Sequence, residues 1–380
     1  MGLSSKLKML SLLLRTGNID PLINLGVYYL FTSRQQSTQV KTKPIYAQIE
    51  ITNVCNLRCK MCAHSSKLWK NATKQKTLKL SEFKHIIDTI PGIFYTEING
   101  VGEPLLHPNI IEMITYAHKK GISTGFFTNA TLMTPEISRK LIKAKGLVSI
   151  KVSIDTGDPK AFNNLRTGAD FNQILDNVAA FQRIKKETGN LFPEVVVSMT
   201  AMPEYIRDIP KLVEALKKIG LNSLYIKDVL AHTNIKGVTE IEKTIKSLGL
   251  NAQEELADYG FYTRKLTSEE TFQIHEYHKE YAKQGFSIYY YHAAEKNHSS
   301  SRTCKAPWST IYINANGDVN PCCFSFLYPE MYFGNILKQS FTEIWNNHMY
   351  QDFRSSLKNR LPSCCLPCPL FGQTLKTGKV

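Results

Sequence analysis

Between residues 45 and 228, short apolar runs rich in β-branched side chains, at 45–52, 94–99, 122–127, 148–154, 194–200 and 223–228, alternate with longer stretches of helical period. In those stretches Phe83, Ile86, Ile87 and Ile90, and then Phe171, Ile174, Leu175, Val178 and Phe181, recur every three or four positions, a stripe that faces a sheet. Thr134 before Pro135 reads as an N-cap and first helical residue, and Gly146 closes that helix. Strand and helix in strict alternation predict a parallel sheet with right-handed crossovers. Six such units predict an α/β fold, an open and partial (β/α)6 TIM-like barrel, with its chemical groups at the C-terminal strand ends. The expected division is an N-terminal extension over 1–44, a core over 45–230, a barrel-completing or connecting region over 231–303, and a small C-terminal α+β domain over 304–372. In the connecting region two helices (236–248 and 268–284) and an aromatic strand, FSIYYYH at 286–292, are predicted.

Composition adds limits. A chain of 380 residues with 43% hydrophobic content can bury one large core and a satellite. No run of about 18 apolar residues occurs, and no signal-peptide cleavage pattern, so a cytoplasmic protein is expected. Its nine cysteines then meet a reducing environment, and their two tight groups, 55–62 and 304–368, suit thiolate ligands better than disulfides. The net charge of +15 calls for an acidic partner or a generally basic surface. Nucleic acid is not expected, because the lysines are spread along the chain instead of interleaving with aromatics on one element. An acidic electron donor such as flavodoxin or ferredoxin, or an anionic substrate, fits better. Within 1–44, six basic residues (Lys6, Lys8, Arg15, Arg34, Lys41, Lys43) face one acid, Asp20, around LSLLL and LINLGVYYLF. Peripheral membrane contact is one reading, and a short helical extension packed on the main domain is the favoured one.

The chemistry starts directly after the first strand. ITNVCNLRCKMC places Cys55, Cys59 and Cys62 in a C-x3-C-x2-C loop. Three thiolates on a 4Fe-4S cube leave one iron without a protein ligand, and an open iron can bind substrate. A zinc site would want a fourth donor, for which His64 is the local candidate at awkward spacing.

This loop resembles the signature of radical S-adenosylmethionine (SAM) enzymes, and the resemblance extends over roughly 45–230 and 304–370. It implies that the open iron chelates the amino and carboxylate groups of SAM, and that an electron from the cluster cleaves the sulfonium to methionine and a 5′-deoxyadenosyl radical. One departure is Met61, where the family usually places an aromatic residue near adenine. NGVGEPLLHP resembles the family's GGEP-type segment, with Gly100, Gly102, Glu103 and Pro104 matching. Thr128 and Asn129 in FFTNAT resemble the TNG segment beside the SAM pocket, although a helix-capping turn reads equally well. IKVSIDTGDPKAFNNLRTG resembles the family's serine strand, helix and arginine, so that Ser153 and Arg166 would contact the SAM carboxylate. Asp155 would orient a neighbour or the ribose, or else be a surface acid.

In the second group Cys304 and Cys322 flank a hairpin turned at NANGD, and Cys365 and Cys368 follow at C-x2-C spacing. The helix pattern carrying Phe341, Ile344 and Trp345 would cover them. The region resembles the SPASM or shorter twitch domains of radical SAM enzymes. With six cysteines instead of seven or more, that resemblance implies one auxiliary 4Fe-4S cluster ligated by Cys304, Cys322, Cys365 and Cys368. Cys323 and Cys364 are left as packed thiols, and a zinc ribbon is the alternative for this domain.

A closed auxiliary cluster passes electrons, which favours a two-electron oxidation, with a base taking the proton. A sugar, cyclitol or similar small polar metabolite is the expected substrate, because the 44 residues before the barrel are short for a peptide-recognition domain. A peptide-modifying maturase is the alternative, and a non-catalytic metal- or nucleic-acid-binding protein the alternative of another class. Asp228 and Tyr289 to Tyr291 are possible substrate contacts, each more simply explained by packing or solvation; no catalytic base is named.

Overall fold

The computed structural model describes residues 37–65, 74–228, 266–291, 304–323, 331–359 and 365. The six expected strands form as β1 (Tyr46–Ile49), β3 (Tyr95–Ile98), β4 (Ser123–Thr128), β5 (Leu147–Ser153), β7 (Glu194–Ala201) and β8 (Ser223–Asp228), all parallel neighbours in that order. The aromatic strand β9 (Ser287–Tyr291) adds a seventh parallel member beyond β8. At the opposite edge β10 (Thr310–Ile313) pairs parallel with β1, and β11 (Val319–Asn320) returns antiparallel to it. The result is an open nine-stranded sheet, and its β1–β10 pairing carries it across the boundary expected at 304.

Period-two alternation divides this sheet into two chemical faces. Ala47, Ile49, Ile98, Phe126, Ile150, Val152, Val197, Leu224 and Ile226 are all fully buried on the outer face. Helices cover them: that at Phe171–Glu187 turns Phe171, Ile174, Val178, Phe181 and Ile184 inward, as its stripe predicts. The Pro135–Lys143 helix is capped by the Thr134 hydroxyl, which accepts from the Ile137 N–H, and Gly146 follows its end at φ +89°. The other face carries Tyr46, Gln48, Tyr95, Glu97, Phe127, Lys151, Ser153, Tyr225, Lys227, Tyr289 and Tyr312, in register from strand to strand. Polar side chains there require a wet or ligand-lined interior.

The helix expected at 268–284 spans Ser268–Ala282 behind a complete capping box from Thr267 and Glu270. The helix expected at 236–248, residues 1–36, Cys364 and Cys368 lie outside the described residues. Residues 37–42 fasten to the C-terminal part of the chain. Trp308 Nε1 donates to Ser37 O, Trp345 Nε1 to Thr42 O, and Asn346 pairs with both Val40 backbone groups. Arg354, fully buried, lies against the rings of both Trp345 and Tyr350 and donates to Pro307 O, Thr38 O and Asn346 Oδ1.

Candidate active site

The three-cysteine loop leaves the C-terminal end of β1, where the barrel architecture places its chemistry. Two residues of it form a short strand, β2 (Arg58–Cys59), that pairs antiparallel with β6 (Arg166–Thr167). This ribbon sets Cys59 directly opposite Arg166. The Lys60 N–H donates to Leu165 O and the Cys62 N–H to Cys59 O, so the loop is fixed by main chain at both flanks. All three thiols are outside disulfides. Burial pushes the Cys59 thiol up to about 12, opposed chiefly by the Arg166 charge.

Arg166 and Asp155 are a buried pair. Arg166 Nε and Nη2 reach Asp155 Oδ2 at 2.7 and 2.6 Å, and Nη1 stands 3.8 Å from Cys59 Sγ. Asp155 Oδ1 accepts from the Thr200 N–H at 2.8 Å, which locks the carboxylate to β7. Burial works against the guanidinium charge, yet Asp155 keeps its pKa above the ordinary arginine value. Asp155 therefore orients a neighbour, Arg166, one of the three readings open to it in the sequence. Ser153 ends β5 half-buried on the same face.

Glu103 is spent on the fold. Its Oε1 accepts from the Leu105 N–H (3.0 Å) and the Thr128 hydroxyl (2.7 Å), and Oε2 from the Asn129 N–H (2.8 Å). The carboxylate thus bolts the turn after β3 to the end of β4. Asn129 is engaged on both sides, donating to Asn56 Oδ1 and accepting from Thr131, which ties the β4 end to the cysteine loop. Pro104 opens a short 3-10 turn behind Glu103. A side chain at Gly102 would stand 2.1 Å from Thr52 O, and one at Gly100 2.3 Å from Glu50 Oε1. Both glycines permit close approach, here to the chain's own first strand end.

Glu50 and the inner-face charges were not anticipated from the sequence. Glu50, 5% exposed, accepts from the Val101 N–H (2.9 Å) and the Ala315 N–H (3.2 Å), joining the β3 turn to the β10–β11 hairpin. Burial raises its pKa to about 7 against those two hydrogen bonds. Glu97 pairs with Lys151 and accepts from the Tyr95 hydroxyl. Alternating polar positions in SIKVSID and LYIKD were the available signal.

Three thiols from one loop, a guanidinium beside one of them, and a polar interior beyond form a donor set suited to an iron–sulfur cube with one open iron. Among the described residues no three Cys, His, Asp or Glu side chains are grouped to hold a single metal ion, so a zinc site at the first loop with His64 gains nothing from the geometry; Cys368, which a C-terminal zinc ribbon would use, lies outside those residues. Comparison with known proteins decides the family. The radical SAM superfamily profile matches residues 49–216, and that of an iron–sulfur cluster-binding domain, SPASM, matches 304–369. The chain belongs to the radical SAM superfamily.

Its relatives include a tungsten-containing aldehyde ferredoxin oxidoreductase cofactor-modifying protein of Pyrococcus furiosus, 27% identical over 86% of this chain and 87% of that one. An AdoMet-dependent heme synthase of Methanosarcina barkeri is 27% identical over 78% and 81%. Among solved structures, SuiB of Streptococcus suis bound to S-adenosylmethionine superposes with a TM-score of 0.61 at 16% identity, covering 82% of this chain and 68% of that one. That likeness is one of fold. As a radical SAM protein with a SPASM domain, the chain takes SAM and 4Fe-4S clusters as cofactors.

In this radical SAM chain the second cysteine group is carried by the hairpin. Asn314 Oδ1 accepts from the Asn316 and Asp318 N–H groups, Gly317 turns at φ +84°, and Thr310 Oγ1 donates to Pro321 O across the stem. Cys304 precedes that stem, Cys322 and Cys323 follow it, and all three are half-buried, as is Cys365. Tyr225 and Tyr289 stack at 4.6 Å on the inner face, whereas Tyr290 meets His275 on the helical side. Among the described residues no helix is long and apolar enough to cross a membrane.

Proposed function

We propose that this radical SAM enzyme carries out a two-electron oxidation of a small polar metabolite held against the inner face of the sheet. The observation that carries the reading is the position of the Cys55–Cys59–Cys62 loop at the strand ends, beside the Arg166–Asp155 pair and facing a polar interior. When bound there, a 4Fe-4S cluster with one open iron supplies SAM chelation and the electron that yields the 5′-deoxyadenosyl radical. The chain's own residues do the rest. Cys55, Cys59 and Cys62 would hold the cluster. Arg166, its fork fixed by Asp155, and Ser153 would position the SAM carboxylate; backbone around Gly100 and Gly102, held by Glu103, would meet the SAM amino group. Cys304, Cys322, Cys365 and Cys368 would ligate an auxiliary cluster that removes the second electron. An acidic flavodoxin or ferredoxin suits a chain of net charge +15 as electron donor.

Support for a non-peptide substrate comes from the cofactor-modifying and heme-synthase relatives, which align over most of the chain. A second reading, peptide modification, is favoured by the subtilosin biosynthesis protein AlbA of Bacillus subtilis, 24% identical over 87% of this chain. The test is anaerobic reconstitution with iron and sulfide, then dithionite and SAM. One equivalent of 5′-deoxyadenosine per product lighter by two hydrogens is expected. Release of 5′-deoxyadenosine with a product of unchanged mass would leave the radical step standing and remove the oxidation.

A further inference from the structure

The inner face holds a cation that the mechanism above does not use. Lys227, near the end of β8, is exposed to solvent on that face, and its ammonium group lies 5.1 Å from the centroid of the Phe127 ring. Lys151, the register partner of Phe127, stands over the same ring at 4.8 Å. β8 lies three strands beyond β4, so this contact crosses the concave side of the sheet.

A charge count separates the two lysines. Lys151 is neutralised by Glu97, and Arg166 by Asp155. Lys227 has no hydrogen bond or ion pair with any described residue, and an aromatic face compensates a cation only in part. The charged and titratable groups around it are Lys151 from β5, Asp155 just after it, Arg166 from β6, and Cys323 after β11. Among the described residues one solvent-open positive charge is thus left without a counter-charge on the concave face, where an anion can pair with it.

We infer that Lys227 recognises an anionic group on the substrate, a carboxylate or a phosphate, with the Phe127 ring as the floor of that subsite. The inference deepens the proposed function by fixing the substrate class: a small polar metabolite bearing at least one negative charge. Lys227 is then a specificity-determining residue.

The test uses the full chain with its clusters reconstituted, titrated calorimetrically at constant ionic strength with succinate, inorganic phosphate and neutral myo-inositol. Saturable binding of succinate or phosphate, but not of myo-inositol, is expected. Lys227→Met should weaken it by about ten-fold or more, the size of one lost charge-assisted contact. Lys227→Arg, which keeps the charge, should restore it and shows that the Met variant has not simply misfolded. Binding of myo-inositol alone would overturn the inference, as would anion binding that Lys227→Met leaves intact. A fall in SAM affinity in Lys227→Met would also overturn it, by assigning the lysine to the cofactor. Because the titration needs no radical chemistry, wild-type protein that binds anions yet releases no 5′-deoxyadenosine would sink the proposed function and leave this inference standing.

Discussion

The two cysteine regions are built on opposite plans. Cys55, Cys59 and Cys62 sit in one short loop whose shape is set by its own main chain and by the ribbon to Arg166. Cys304 and Cys322 lie on either side of one hairpin and Cys365 beyond the helices at Phe341–Trp345 and His348–Asn359, in a part of the chain to which residues 37–42 are fastened. The first region is local in sequence, and a few long-range contacts to Leu165, Arg166 and Asn129 hold it in place. The second is a tertiary product, so mutations far from its cysteines should reach it.

The largest test separates the regions by function. Cys59→Ala should reduce 5′-deoxyadenosine release to background, while Cys322→Ala should retain a measurable part of it and lose product turnover by about ten-fold or more. Iron per chain should fall in both. Equal loss of 5′-deoxyadenosine in the two variants would break the division of labour.

The next pair separates the regions by electrostatics. Asp155→Asn leaves Arg166 buried without its counter-charge, and breaking a buried pair costs about 3–5 kcal/mol. Arg354→Met removes the buried charge itself. Pro307 O and Thr38 O then lose a donor while Asn346 Oδ1 keeps the Val40 N–H, and no buried charge is left behind, so the loss is about 2 kcal/mol. Denaturant melts of both variants should rank them in that order. The reverse ranking would mean that the aromatic stacking around Arg354 holds the C-terminal part more strongly than an ion pair holds the first site.

Glu50 joins the regions, and its titration measures that joint. Its folded pKa is about 7, above its ordinary 4.5, so the folded state binds the proton more tightly. The stability it lends is complete below about 4.5 and is lost as pH rises through about 7. Relative to Glu50→Gln, wild type should therefore lose up to about 3 kcal/mol between pH 5 and pH 8. A flat difference across that range would show the carboxylate to be solvated and the joint open.

Much of the fold was legible because the outer face of each strand and the inner stripe of each helix are apolar, and that periodicity is written residue by residue. All six core strands lie within a residue or three of where the alternation placed them. The first site was legible for the same local reason: three cysteines in eight positions need no tertiary information to be seen together. Glu50 and Glu97 were not singled out, because a polar residue in or beside a strand reads as solvent-facing until distant parts of the chain bury it, and Lys227 was not, because its meeting with Phe127 crosses three strands. Likewise Trp308 and Arg354 looked like ordinary core or surface residues and Trp345 like cover for the second cysteine group, since the carbonyls of residues 37–42 that they bond lie some 270 or more positions away.

The smallest effects lie in two turns that solve one problem differently. In the second region the hairpin uses Gly317 at φ +84°, and a Cβ there would stand 2.6 Å from Leu337 Cγ. In the first region Ala130, where the family's TNG segment has glycine, adopts φ +59° while fully buried. Its carbonyl is held by Asn177 Nδ2 at 2.9 Å and its N–H by Thr128 Oγ1 at 2.9 Å, so the strained conformation is imposed by neighbours. Gly317→Ala should cost about 1–2 kcal/mol from backbone strain alone, before the Leu337 clash is added. Ala130→Gly relieves a strain of similar size but gives up a buried methyl, about 0.8 kcal/mol, and frees the unfolded chain. Those opposing terms should leave it within about 1 kcal/mol of wild type in a thermal melt. A gain well beyond that would mean that the alanine's packing contributes nothing and that its strain is a net burden on the turn that holds the cysteine loop.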